Sequence, residues 1–206
     1  MKNSILIISM IMGVIGFSQT KKILDERKFA YDLLEQTYVE LENTVGKLSE
    51  EELNYIPKDG GWSALNCLEH IFITEPVLIL KVKRMIAEGN LQTDKDLSFN
   101  DWKVVTQVTD RTRKVDTAEP FRPKPENAKK TKDDFLAAIK SDRDELLNIL
   151  YSSEADLRHL FAPYLYGEAD AIQQAIIVGT HCYRHTMQIN EIIEELYPEG
   201  EENIQK

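Results

Sequence analysis

Four long segments of this chain place apolar residues at three- and four-residue steps, the spacing that lines one face of an α-helix, and no segment carries a convincing strand rhythm. One stripe is Ala171, Ala175, Val178, Cys182, His185, Ile189, Ile192 and Leu196, opened by Asp170 with Gln173 in the capping-box position and stopped by Pro198 and Gly200. Another, Ala30, Leu33, Leu34, Tyr38, Leu41, Val45 and Leu48, predicts a helix within residues 23–48. Ser63 can cap a third, with Leu65, Leu68, Ile71, Phe72, Leu78, Val82 and Met85 inward, Gly89-Asn90 as its stop, and a kink expected at Pro76. Thr131 can cap the last through Asp134, with Phe135, Ile139, Leu146, Leu147 and Leu150 facing the core.

Between the long segments, Ser49-Glu50-Glu51-Glu52 opens a short helical turn that Pro57 and Asp59-Gly60-Gly61 end. From 89 to 125 the helical pattern fails: Trp102, Val104, Val105 and Val108 are isolated among charges, and Pro120, Pro123 and Pro125 forbid a regular helix. That stretch is expected to be a long crossover, either a wall of a binding site or a packed surface loop. The expectation is an all-α four-helix bundle of up-down-down-up order, with the crossover letting its second and third helices run parallel. Tyr164 to Glu168 is read as part of the loop before the last helix.

A chain of 206 residues suits one domain and one site. With 25 Lys+Arg against 35 Asp+Glu, a formal charge of -10 repels phosphate backbones and anionic lipid headgroups, so nucleic acid is not an expected partner. The basic runs Lys81-Val82-Lys83-Arg84 and Lys129-Lys130-Thr131-Lys132 read as solvated helix faces and ends.

Lys2, the apolar run from 5 to 17 and the small residues at Gly16 and Ser18 read as an export leader over residues 1–18, cleaved after Ser18 to leave a single domain over 19–206. The other reading is an uncleaved anchor, but the run falls short of the ~20 residues that cross a bilayer. The expected location is therefore exported, in the periplasm, with no stable membrane insertion once the leader is gone. Cys67 and Cys182 are too few for a disulfide scaffold.

Of four histidines, His181 and His185 are four apart on one helix, so their rings leave the same face, a common way to offer two imidazoles to one metal ion. His70 stands on another helix, in Gly61-Trp62-Ser63-Ala64-Leu65-Asn66-Cys67-Leu68-Glu69-His70. His159 has no partner at ligand spacing and is left out. A Trp-Ser helix start followed by His, a long crossover, and then His181-Cys182-Tyr183-Arg184-His185-Thr186-Met187-Gln188-Ile189 resembles the DinB/YfiT-like family of helical bundle proteins. Asp156-Leu157-Arg158, Gly167, Asp170 and Gln173 add to the likeness, which covers residues 23–196.

The resemblance implies a zinc or nickel ion held by His70, His181 and His185. Three neutral imidazoles leave a fourth position open, whereas a structural zinc site is closed by four ligands. Cys67 and Cys182 are the alternative fourth ligands, though small core residues fit their positions better. Gln188 can support His185, and Glu69, Glu75 and Glu191 are the nearest carboxylates, none assigned as a base. The family includes thiol-dependent S-transferases, but such thiols belong to the cytosol and not to an oxidising exterior. Metal-dependent hydrolysis of a small-molecule substrate by bound water therefore ranks first, followed by thiol transfer and a non-catalytic metal- or ligand-binding bundle. A homodimer is left open.

Overall fold

The structure, a computed structural model, describes residues 3–113 and 115–198, with side chains from Asp25 onward. The side chains of the leader expected over residues 1–18 lie outside that description. The chain is mostly helical: α1 (Asn3–Gly46), α2 (Glu50–Asn54), α3 (Ala64–Glu88), α4 (Asp101–Thr109), α5 (Lys132–Ser152) and α6 (Ala171–Leu196), with a small hairpin of β1 (Phe161–Tyr164) and β2 (Gly167–Asp170). Among the described residues, no helix is long and apolar enough to cross a membrane.

The helix starts are where their caps place them. Ser63 Oγ accepts the Asn66 amide while the Asn66 side chain accepts the Ser63 amide, and Asp170 and Gln173 make the same reciprocal pair in front of α6. Thr131 and Asp134 do so for α5. Each pair satisfies amides that the first helical turn leaves without partners. α3 ends at Gly89, whose φ of 61° is the left-handed conformation that glycine adopts without a Cβ penalty. Pro76 sits inside α3, which runs on as one element.

α6 is the central helix and packs against α1, α3 and α4, while α5 packs against α1 and α3. The apolar core has two parts. Leu34, Ile79, Val82, Leu146, Leu150 and Ile176 belong to one, and Leu41, Leu68, Ile71, Phe135, Ile139 and Ile189 to the other. Along α3 and α5 the residues between the two parts include Glu75 and Arg143, a fully buried ion pair.

Two segments fold differently from what their sequence pattern suggests. The crossover contains α4, because Val104, Val105 and Val108 form one short apolar face, with Val104 buried, and the prolines begin only at Pro120, beyond the helix. The stretch read as loop before α6 holds an antiparallel hairpin, paired from Phe161↔Asp170 to Tyr164↔Gly167 around a two-residue connection. Pro163 masks it in sequence, yet a proline is tolerated in a strand with a free edge.

Candidate metal centre

α6 carries His181 and His185 on consecutive turns, and α3 brings His70 against them, so one ligand nitrogen from each ring lies within 4.8 Å of the others. The ring centroids are 4.6 to 5.0 Å apart. His70 Nε2 and His181 Nε2 stand 3.2 Å apart. Two imidazoles on one tetrahedral zinc, each ~2.0–2.1 Å from it, have their nitrogens about 3.3 Å apart, so this spacing fits a shared ion. No other His, Cys, Asp or Glu joins the group among the described residues.

Hydrogen bonds set which nitrogen two of the rings present. His70 Nδ1 lies 2.7 Å from the Phe121 carbonyl oxygen, which only accepts, so Nδ1 carries the proton and Nε2 keeps its lone pair for the cluster. His185 Nδ1 lies 3.1 Å from Gln188 Oε1, and Arg111 Nη1 donates to the same oxygen, which fixes the amide orientation. This support of ligand rings by carbonyl oxygens is the usual outer layer of a metal site. The site fits a divalent ion by the chemistry of its donors as well as by their spacing.

Electrostatics agree, since metal ligation needs neutral imidazole. Burial lowers His70, partly offset by the Phe121 contact. Burial, then His70, pushes His181 down to about 3, although that ring keeps some accessible surface where it lines the cavity. Burial, then His181 and His70, takes His185 well below its ordinary value.

Groups neutral in the fold but protonated in the unfolded chain make stability rise with pH, fully present above about 6.5 and lost as pH falls below it. At pH 5, one imidazole held neutral contributes a loss of roughly 2 kcal/mol relative to pH 7.5. Asp170, pushed up to about 6 by burial, acts in the opposite sense in this window, so the comparison needs a reference chain. EDTA-treated wild type is expected to lose more urea resistance between pH 7.5 and 5 than His181→Gln does. Equal losses would show that the cluster does not resist protonation.

A cavity of about 1020 Å³ reaches the three histidines. Trp62, which the sequence placed in the motif without a role, packs its ring 5.0 Å from that of His70. The crossover supplies Val108, Arg111, Val115 and Phe121 to the lining, which makes it a wall of the site. Arg184 ties that wall to α6 by donating to the carbonyls of Val108, Asp110 and Arg113. Lys81, read in sequence as part of a solvated run, also lines the cavity.

The three nearest carboxylates separate. Glu69 accepts from the Lys124 amide and from Asn127, and Glu75 is paired with Arg143, so both are committed away from the cavity. Glu191 lines it, held by Arg111. Cys67 and Cys182 are free, fully buried and each pushed up to about 12 by burial, as core residues are. His159 stands outside the cluster with its Nδ1 2.7 Å from Asp156.

A mostly helical protein with three convergent imidazoles beneath an open cavity belongs to the class of helical metal-binding proteins. The profile of the DinB superfamily matches residues 33–189, and the chain is a member of that superfamily. Neither the curated proteins nor the solved structures give a match.

Proposed function

We propose that this protein is a metal-dependent hydrolase of a small molecule, with zinc or nickel held by His70, His181 and His185 on an up-down-down-up four-helix bundle. The observation that carries this reading is the pairing of a three-nitrogen donor set, with no fourth protein donor among the described residues, and a cavity that reaches all three rings. A volume of about 1020 Å³ is at the upper end of what small-molecule sites occupy. A purely structural site would be closed.

A bound zinc ion supplies Lewis acidity and lowers the pKa of a coordinated water to ~7. The protein's own part is to present three neutral nitrogens. Phe121 and Gln188 hold two of the rings in the required tautomer, and Arg111 holds Gln188. Glu191 lines the cavity from the same helix as His181 and His185, paired with Arg111.

The leader expected at the N-terminus favours hydrolysis over thiol transfer, since an oxidising compartment holds few free thiols. Zinc-loaded protein is expected to turn over 4-nitrophenyl acetate without added thiol, and His181→Ala to lose at least about 100-fold of that rate, given the several kcal/mol a metal contributes. Turnover that appears only with a low-molecular-weight thiol would favour transfer, and no turnover in either condition would favour the non-catalytic bundle.

A further inference from the structure

The cavity is long, and its two ends differ. His70, Thr74, Leu78 and Lys81 line it from one face of α3, while Glu195, His185, His181 and Gln174 line it from α6. Lys81 and Gln174 both reach the hairpin, through the carbonyls of Pro163 and Ala162, so that end is bordered by β1 and the turn after it. At the opposite end Glu195 accepts from the Lys58 amide beside Asp59. The three histidines lie between.

Charge follows the same axis. Of the cations lining the cavity, Arg111 is paired with Glu191 and Arg122 with Asp116. Lys81, Arg113 and Arg184 have no ion pair among the described residues. Lys81 donates to the Pro163 carbonyl at 2.7 Å, Arg113 stands 6.0 Å from the Tyr166 ring at the hairpin turn, and the buried Arg184 donates its hydrogen bonds to carbonyl oxygens, with Asp110 and Glu191 close enough to act on its charge. Lys81 and Arg113, both beside the hairpin and neither in an ion pair among the described residues, form a local field opposite to that of a chain of charge -10, while Arg184 stands next to His185 in α6 with Asp110 and Glu191 near it. Burial lowers the Lys81 ammonium, which marks a charge partly stripped of water and without a carboxylate to replace it.

We propose that this end is a seat for an anionic group, a carboxylate or phosphate, on an elongated small substrate whose reacting end lies at the three histidines. Lys81 and Arg113 are the residues that determine this specificity. Lys81 is eleven residues beyond His70, so its backbone stands roughly 16 Å away along α3 at ~1.5 Å per residue. The apolar lining between, with Val77, Leu78 and Ile177, suits a hydrocarbon spacer. Arg184 adds charge while holding the wall, so it is left unmutated in the test.

The proposal rests on the open metal position put forward above, and the probes separate the two. Suberic acid monohydroxamate offers a metal-binding head and a terminal carboxylate, and octanohydroxamate has the same head with an uncharged tail. By calorimetry on zinc-loaded full-length protein, the first is expected to bind about 10-fold tighter, equivalent to ~1.4 kcal/mol. In Lys81→Met/Arg113→Met the preference should fall below about twofold, with octanohydroxamate affinity unchanged. Equal binding of the two probes by wild type, or a preference that survives the double substitution, overturns the anion seat and leaves the open position standing. Failure of both probes to bind overturns the open position and the seat with it.

Discussion

Replacing His70, His181 or His185 singly with alanine lowers zinc affinity by more than about 100-fold, and His159→Ala leaves it unchanged. Loss of a partner behind a ligand typically costs 10–100-fold, and loss of a ligand itself removes a coordinate bond that only water can replace. The three nitrogens lie within 4.8 Å of one another with no spare His, Cys, Asp or Glu in the group, so nothing in the cluster substitutes for a missing ring. His159 is occupied with Asp156 outside it. The variants should keep their helical circular dichroism, because the apolar core that surrounds the site is unchanged. Zinc titration of untagged protein against a competing chelator measures the effect. Wild-type affinity in any of the three variants, or metal loss in His159→Ala, would falsify the three-histidine site.

The parts of this structure legible in the sequence are those that local chemistry decides. Ser63, Thr131 and Asp170 begin helices because their side chains accept the amide three residues on, and that spacing is visible in the chain. The same holds for His181 and His185, which one helix must put on one face. What escaped is decided by contacts distant in sequence. α4 has too short an apolar face to stand out and is held by packing against α6. The hairpin is four residues a side and hides behind Pro163. Phe121 supports His70 through its carbonyl, which every residue type carries, so no side-chain pattern could announce it. That His70 meets the other two rings came from the family resemblance, since spacing within one helix says nothing about a residue on another.

The largest stability effect should come from Arg143, whose guanidinium links its own long helix to the other three. It is paired with Glu75 of α3, donates to the Leu34 carbonyl at 2.7 Å and to Thr37 Oγ1 at 3.1 Å in α1, and reaches the Val178 carbonyl of α6 at 3.5 Å from its own place in α5. Both partners are about 1% exposed. Burial pushes the Glu75 carboxyl up against the pull of Arg143, and the guanidinium, which does not give up its proton, keeps the pair ionic. Removing one partner of such a pair leaves the other charge buried without compensation, at a cost of about 3–5 kcal/mol. Arg143→Met is therefore expected to lose that much in urea unfolding, which at a slope of roughly 2 kcal/mol per molar moves the midpoint down by about 2 M. Glu75→Leu/Arg143→Met removes both charges together, and the Leu34 and Val178 carbonyls lie within helices, so the double variant should be more stable than Arg143→Met alone. A single variant that loses less than about 1 kcal/mol, or a double variant whose loss equals the sum of the two singles, would show that the pair does not hold the four helices together.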